Sequence, residues 1–396
     1  MSLLKNSFWT TSANVVYAIS QWVVLVIINK VGTVQDVGVF TIVIAITTPI
    51  FILSQFGLRS RIVIDPLYDF KFELYLVTRI LTSIIALFCV CAFYFKSEYI
   101  IPLIIFSFFK LTDSIFDITY GEYQRANTMK KITISRVFRS VSNILSFAVV
   151  FYITHNLSMS LFFYMLSSLL VLITLENNNF KLYKFTQVKC FDVKKILLIS
   201  APLAFAAFFI SLNSNIPRLI LEKYESLEVV GAYASFIYMT TVASIILTSL
   251  CQAFSPRMAK YKKQQMRREF TNTALILFII CSLFSFIFVI ISLLFQDLIF
   301  SIMYNEGFVK YSDAYVKLIL ASPLFFFCLP LGNILTANGN IRFQPYMFFI
   351  ISLLVVVFSF VTISKTGLDG AINSYIFSSL ITIIFISSYL ISPLKD

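Results

Sequence analysis

Residues Val31 to Phe40 read VGTVQDVGVF, and residues Tyr224 to Tyr233, at an offset of 193, read YESLEVVGAY. In both stretches an apolar segment ends, a short polar loop turns the chain, and a Gly-x-aromatic triplet begins the next apolar segment. Two loops with similar turn chemistry would also match by convergence. The offset is close to half of the 396 residues, which favours an internal duplication.

Composition places the whole chain in a lipid environment. Hydrophobic residues make up 59% of the sequence and charged residues 13%, which excludes a water-soluble domain of this length. Apolar windows of about 20 residues recur throughout, as transmembrane helices require and as an outer-membrane barrel would not show. We predict an all-α, polytopic membrane protein with about twelve transmembrane helices. The predicted spans are roughly 9–29, 37–58, 73–95, 98–119, 132–153, 157–175, 196–221, 227–254, 272–295, 314–336, 343–364 and 371–392.

These spans divide into two predicted lobes of six helices, residues 1–180 and 181–396. Six helices separate the two copies of the repeat, so the halves share one orientation and are related by an axis along the membrane normal. The N-terminal apolar stretch lacks a small-residue cleavage site, so it is interpreted as an uncleaved first helix.

The net charge of +12 does not indicate nucleic-acid binding, because the basic residues lie in short loops between apolar spans. Twenty of them occur at the termini and in the even-numbered connections, against five in the odd-numbered connections. The positive-inside rule therefore places both termini in the cytoplasm. The six cysteines are scattered and His155 is the only histidine, so no metal site, cofactor or histidine-based triad is expected.

The fourth and fifth spans carry charges that a bilayer should reject. Lys110, Asp113 and Asp117 share one face of a helix at i, i+3 and i+7, and Arg136 and Arg139 are three residues apart on the next helix. A charge at the bilayer centre costs at least about 2.5–3.5 kcal/mol, so such residues face the protein interior or an aqueous path. They are the predicted substrate or ion path.

Each of these residues has two interpretations. Lys110, the deepest charge, contacts substrate or merely neutralises Asp113. Asp113 and Asp117 couple transport to a proton or sodium ion, or they only pair with the nearby basic groups. Arg139 is expected in the cavity, where its guanidinium fork suits phosphate oxygens, and Arg136 either joins it or extends to the headgroups.

Other polar residues within the spans complete the predicted site. Asn213 and Asn215 either line the cavity or form interhelical hydrogen bonds. Arg218 and Lys317 lie near the outer ends of their spans, where they bind substrate or anchor the helix, and Arg79 is ambiguous. The spans contain six basic residues against two acidic ones, an excess that favours an anionic ligand over a cationic drug.

Several motifs resemble those of the polysaccharide exporters of the multidrug/oligosaccharidyl-lipid/polysaccharide (MOP) superfamily, and the length and span count resemble the O-antigen flippases. The first half carries Val31-Gly-Thr through Phe40, and then Gln55-Phe-Gly-Leu-Arg59. The second half opens with Ile199-Ser-Ala-Pro-Leu-Ala and continues with Asn213-Ser-Asn-Ile-Pro-Arg218. Relatives often have an acidic residue just before the arginine of the seventh helix, where this chain has Pro217.

The resemblance implies a V-shaped bundle in the bacterial inner membrane that flips undecaprenyl-pyrophosphate-linked O-antigen units, a step of lipopolysaccharide biosynthesis. Its implied partners are this lipid-linked oligosaccharide, membrane lipids, H+ or Na+, and other polysaccharide-assembly proteins. Two alternatives stay open. A multidrug exporter of the same fold is one, and a membrane polymerase is the other, although its catalytic outer loop would have to be longer than the 18 residues found here.

Overall fold

The computed structural model describes residues 2–64, 70–126, 128–176, 190–339 and 343–391, and within these ranges the chain is helical with no β-strand. The helices are α1 Ser2–Val31, α2 Val34–Gln55, α3 Leu58–Ile64, α4 Phe72–Tyr94, α5 Ile100–Arg125, α6 Met129–Thr154, α7 Leu157–Val171, α8 Cys190–Tyr224, α9 Leu227–Lys263, α10 Arg267–Leu294, α11 Gln296–Met303, α12 Ser312–Ala337 and α13 Gln344–Ile391. A π-helical turn, Leu172–Glu176, follows α7, and a 3₁₀ helix, Glu306–Tyr311, precedes α12.

Ten helical stretches of the described chain are long and apolar enough to cross a membrane, against twelve predicted spans. One difference is α5, which is long enough but carries Lys110, Asp113 and Asp117. The other is α13, whose 48 residues break at Gly367, where φ is +52° and ψ is −118°. A helix of that length would extend about 72 Å, more than twice a hydrocarbon core. Counting α5 and the two arms of α13 gives the twelve predicted spans, and the all-helical, multi-pass prediction is confirmed.

The chain forms two compact units. Unit 1 consists of Met1–Ile27 and Ile42–Ser211, and unit 2 consists of Ile28–Thr41 and Leu212–Asp396. The hairpin between α1 and α2 therefore belongs to the second unit, although it lies early in the sequence. The predicted lobe boundary at 180/181 lies outside the described residues, and the division into lobes 1–180 and 181–396 stays a prediction.

A tight turn in unit 1 brings the short helix α3 against α5. Phe56 and Gly57 adopt positive φ values of 47° and 58° between α2 and α3. Gly121 of α5 faces this turn, and a Cβ atom there would lie 3.2 Å from Cγ and 3.4 Å from Cα of Arg59. The absence of a side chain at Gly121 thus lets Arg59 reach into the unit along α5.

The centre of unit 2 is aromatic. The Phe236 ring lies 5.4 to 6.3 Å from four other rings, those of Phe300, Tyr304, Phe308 and Tyr315. Phe300 and Tyr304 belong to or follow α11, and Phe308 lies in the 3₁₀ helix. The segment between α10 and α12 is thus helical, and it contributes buried side chains to this core.

The two copies of the repeat meet within unit 2. A Cβ atom on Gly38 would overlap the carbonyl oxygen of Leu227, and one on Gly231 would lie 2.5 Å from the carbonyl oxygen of Val34. At the 193-residue offset Val34 is equivalent to Leu227 and Gly38 to Gly231. The contact is therefore reciprocal, as a local two-fold relation requires.

A cavity of about 420 Å³ beside this crossing repeats the same symmetry. It is lined by Thr33, Val34 and Gln35 and by their equivalents Ser226, Leu227 and Glu228. Equivalent residues therefore face each other across the crossing of α2 and α9, which supports the internal duplication.

The close approach of α2 and α9 predicts that alanine destabilises the protein at Gly38 and at Gly231 but not at Gly332. Gly38→Ala and Gly231→Ala should each lower the thermal unfolding temperature in detergent, because overpacking costs typically 1–3 kcal/mol. Gly332→Ala in α12 is the control, since nothing lies within 4 Å of the added Cβ, and alanine has the higher helix propensity by about 1 kcal/mol. Equal unfolding temperatures for all three variants would contradict the packing at the crossing.

Candidate functional site

The ion pair between Asp113 and Arg139 lies at the centre of the predicted site in unit 1. Arg139 Nη2 is 2.7 Å from Asp113 Oδ1, and the Tyr17 hydroxyl donates to the same oxygen at 3.2 Å. Three helices, α1, α5 and α6, are thus joined at one carboxylate. A local pair between Asp113 and Lys110 was one interpretation of the sequence. In the structure Asp113 forms its ion pair with Arg139 instead.

Asp117, one turn further along α5, is held by two arginines from other helices. Arg59 Nη1 lies 3.1 Å from Oδ1 and Arg79 Nη2 lies 3.0 Å from Oδ2. Arg79 is completely buried, so its guanidinium does not extend to a membrane surface. Arg59, which lies just beyond the predicted span 37–58, is brought here by the turn at Phe56 and Gly57.

Lys110 of α5 takes no part in these ion pairs. Its side chain is half-buried, and its Nζ lies 5.4 Å from the centroid of the Phe106 ring. It forms no ion pair with any residue that the structure describes, because both neighbouring carboxylates are bound by arginines. A lysine in this state is a mobile point charge available to an anionic ligand.

Arg136 and Arg139 are held in an alternating stack of rings and guanidinium groups. Arg139 lies between Phe116 at 4.5 Å and Tyr17 at 5.0 Å, and Arg136 lies between Tyr17 at 5.3 Å and Tyr120 at 5.1 Å. Cation–π contacts of this kind contribute about 0.5–2 kcal/mol each. They hold both guanidinium groups close to aromatic ring faces.

The stack also defines the position of the Arg136 side chain. Its guanidinium is buried and donates from Nη1 to Asn14 Oδ1 of α1, and it is not extended to the surface. Sequence reasoning missed Tyr17, Phe116 and Tyr120, although the i, i+4 spacing of Phe116 and Tyr120 beside the charged face of α5 was a usable signal. For Tyr17 the signal was weaker and consisted of the polar neighbours Ser20 and Gln21.

Several N–H groups of these arginines are buried without a hydrogen-bond partner in the described part of the chain. They are Nε and Nη1 of Arg79, Nε of Arg136, and Nε and Nη1 of Arg139. A buried unsatisfied donor costs roughly 1–3 kcal/mol, and more when it is charged. Anionic oxygens are the acceptors that best satisfy such donors, since charge-assisted hydrogen bonds are the strong ones.

A third buried carboxylate, Glu176, ends the π-helical turn after α7 and was not foreseen from sequence. It accepts hydrogen bonds from the hydroxyls of Tyr123 and Ser135, the latter at 3.0 Å. Because the only hydroxyl proton of Ser135 is used here, the 3.0 Å contact between Tyr120 and Ser135 has Tyr120 as the donor. Glu176 is therefore linked through Ser135 to the ring that stacks on Arg136.

The charge balance of the cluster is positive even with Glu176 included. Its basic groups number five, against three carboxylates; they are Arg59, Arg79, Lys110, Arg136 and Arg139. Among the described residues no three His, Cys, Asp or Glu side chains converge to hold a metal ion. The arrangement suits a ligand with negatively charged oxygens.

The remaining predicted residues lie in unit 2. Arg218 is buried and donates from Nη1 to the carbonyl oxygen of Thr41 at 3.2 Å, and it has no carboxylate partner among the described residues. Asn213 and Asn215 are also buried, and Asn213 Oδ1 has no hydrogen-bond partner there. Lys317 pairs with Asp369 at 2.6 Å, and both side chains are about half exposed.

Comparisons of the sequence identify its relatives. The profile of the family described as polysaccharide biosynthesis protein matches residues 3–262, about two thirds of the chain, and the MatE family profile matches residues 202–361. The capsular polysaccharide biosynthesis protein CapF of Staphylococcus aureus is 26% identical over 393 residues, covering 96% of this chain and 98% of that protein.

Comparisons of the structure identify the fold. An inward-facing multidrug resistance MATE transporter of the MOP superfamily superposes with a TM-score of 0.77 at 13% identity, covering 95% of this chain and 96% of the other. A MOP superfamily transporter from Pyrococcus furiosus, described by the reverse polarity of its binding pocket, gives 0.69 at 12% identity, with 98% and 94% covered. The expected resemblance is confirmed: the chain belongs to the polysaccharide biosynthesis protein family and has the multi-pass fold of the MOP superfamily transporters.

Proposed function

We propose that this protein flips undecaprenyl-pyrophosphate-linked repeat units of a surface polysaccharide from the cytoplasmic to the outer leaflet of the bacterial inner membrane. The observation that carries the proposal is the excess of buried basic groups in unit 1, with guanidinium donors that have no hydrogen-bond partner among the described residues. A pyrophosphate diester supplies two negative charges and several acceptor oxygens, so it offsets this excess and satisfies the donors.

Lys110 and Arg139 are the principal ligands of the pyrophosphate in this proposal, with Arg136 beside them. Lys110 has a flexible stem and forms no ion pair with a carboxylate of the described residues, so it follows the phosphate as the headgroup moves. The stack of Tyr17, Phe116 and Tyr120 fixes the planes of both arginines before the ligand arrives. This preorganisation lowers the entropy lost on binding.

The family and the relative together suggest the class of cargo. The family profile concerns polysaccharide biosynthesis, and the relative from Staphylococcus aureus is named for capsular polysaccharide. We therefore extend the expected O-antigen unit to capsular repeat units, which share the lipid pyrophosphate headgroup in this proposal. The polyprenyl tail stays in the lipid, and the two lobes rock between inward-open and outward-open states.

Asn213 and Asn215 are retained as sugar ligands, because the unsatisfied Asn213 Oδ1 accepts from a hydroxyl. Arg218 is retained as a secondary ligand through its unpartnered Nε, although its bond to Thr41 also anchors α8.

Asp113 is the better of the two predicted coupling carboxylates. Asp117 is held by two arginines, whereas Asp113 is held by Arg139 and one tyrosine. A phosphate that draws Arg139 away would leave Asp113 uncompensated in a low dielectric, where a proton or sodium ion restores the balance. Substrate and ion would thus compete for the ion pair between Asp113 and Arg139.

The rival is a multidrug exporter, which the match to the MatE profile and the fold would equally suit. The sign of charge discriminates between the two, since a cavity for cationic drugs should be acidic and this cluster is basic. In a strain lacking the protein, accumulation of one polyprenyl-pyrophosphate repeat unit with loss of surface polysaccharide supports the flippase. Unchanged lipid intermediates together with reduced dye efflux would support the exporter.

Removing the phosphate ligands should abolish export. We expect Lys110→Gln, and Arg139→Gln combined with Asp113→Asn, to accumulate lipid-linked repeat units, as measured by mass spectrometry of extracted lipids. The paired change avoids leaving an isolated buried carboxylate, whose presence would itself cost about 3–5 kcal/mol. Lys317→Gln is the control, because that lysine is exposed and paired with Asp369. Normal export by both test variants at wild-type protein levels would contradict the proposal.

The two functions of Tyr17 can be separated by substitution. Tyr17→Phe keeps the ring between Arg136 and Arg139 and should retain most export, whereas Tyr17→Leu removes both cation–π contacts. Their loss at about 0.5–2 kcal/mol each predicts an export rate lower by about tenfold. Tyr152→Leu on the exposed face of α6 is the control, since 73% of that residue is exposed. Equal rates of export for Tyr17→Leu and wild type, measured as polysaccharide at the surface over time, would show that the stack does not position the arginines.

A further inference from the structure

The turn between α9 and α10 is the most strongly charged surface in the described chain. Residues 257–268, defined here as the basic turn, contain six basic residues and no acidic one. All six side chains are exposed; they are Arg257, Lys260, Lys262, Lys263, Arg267 and Arg268. None of its residues belongs to the site proposed above for the transported lipid.

The basic turn has a defined backbone. Gln265 adopts a φ of +55°, which reverses the chain. The amide of Gln264 donates to the carbonyl of Lys260 at 3.0 Å, and the amide of Met266 donates to the carbonyl of Tyr261 at 3.0 Å. The cations at the end of α9 are therefore held next to those at the start of α10.

None of the six cations forms an ion pair within the part of the chain that the structure describes. Arg257 donates from Nε to the Tyr261 hydroxyl at 3.0 Å, which leaves its charge uncompensated. Six like charges on one short turn repel one another, and a multivalent anionic surface would relieve that repulsion.

The residues that follow the basic turn indicate that it lies near the expected depth of lipid headgroups. Met258 and Leu277 are buried in the core of unit 2, and Leu275 and Ile276 are more than half exposed, as lipid-facing residues are. Leu275 is eight residues from Arg267, or about 12 Å along a helix. An arginine side chain spans much of that distance, and the polar interface is about 5–8 Å thick on each side.

Membrane orientation alone does not require these charges. At the 193-residue offset the equivalent stretch of the first half is 64–75, which contains three acidic residues and one basic residue. The basic residues of that connection outside the stretch are Arg59, which pairs with Asp117, and Arg61. The second copy thus carries a concentration of positive charge that the first copy lacks.

We propose that the basic turn binds the headgroups of anionic phospholipids in the cytoplasmic leaflet. The partner is bulk phospholipid of the phosphatidylglycerol type, recognised by charge. Each basic residue near such a surface contributes about 1 kcal/mol, so the affinity falls about fivefold for each cation removed.

The test uses the purified full-length chain and counts retained lipids by native mass spectrometry, in micelles containing phosphatidylglycerol or phosphatidylcholine. The variant Lys260→Gln/Lys262→Gln/Lys263→Gln should lose phosphatidylglycerol affinity by about two orders of magnitude. It should unfold at the wild-type temperature in phosphatidylcholine. The matched control, Lys96→Gln/Lys223→Gln/Lys365→Gln, removes the same charge from the opposite predicted side and should bind like wild type.

Two results would overturn the proposal. One is equal phosphatidylglycerol retention by wild type and the basic-turn variant, or an equal loss in the matched control. The other is displacement of phosphatidylglycerol by farnesyl pyrophosphate at equimolar concentration, which would assign the turn to loading of the transported lipid. Retention that falls in 0.5 M NaCl for the wild type alone supports an electrostatic headgroup site. Because lipid binding is measured without transport, these outcomes are independent of the flippase proposal.

Discussion

The ion pair between Asp113 and Arg139 joins α5 to α6 at 2.7 Å, and the other buried charges of unit 1 are arranged around it. Tyr17 donates to the same carboxylate and supplies the ring shared by Arg136 and Arg139. Because Asp113 pairs with Arg139, Lys110 forms no ion pair of its own among the described residues. The pair thus fixes three helices and at the same time determines which cation remains available to a ligand.

An interior that holds more cations than anions does not maximise the free energy of unfolding. Buried ion pairs contribute little net stability, and unpaired buried donors cost free energy. The chain tolerates that cost at Arg79, Arg136 and Arg139. Asp117 holds Arg79, and aromatic rings contact Arg136 and Arg139. Such an arrangement is expected where a ligand completes the charge balance, because binding then recovers what folding leaves unsatisfied.

Much of this could be predicted from the sequence, and the limits have physical causes. Span length and hydropathy gave the helices, and the i, i+3, i+7 spacing placed Lys110, Asp113 and Asp117 on one face. Helical periodicity identifies faces but not partners on other helices, so the pairing of Asp117 with Arg59 and Arg79 was not foreseen. Arg59 depends on a turn with two positive φ values and on the missing side chain of Gly121. Glu176 lies at the edge of a polar linker, where nothing in the sequence distinguishes a buried carboxylate from a solvated one.

The two copies of the predicted repeat share backbone geometry, whereas their charges differ. Gly38 and Gly231 make reciprocal close approaches, and left-handed residues end both the fifth and the eleventh spans, His155 with φ +47° and Gly367 with φ +52°. By helix order α12 is the counterpart of α5, yet its charges, Asp313 and Lys317, stay within its first two turns. Backbone approaches constrain a duplicated fold in both copies, whereas a buried charge persists only where a ligand or partner offsets it. The charge cluster of the first half and the basic turn of the second are therefore the places where we propose that a ligand offsets the charge.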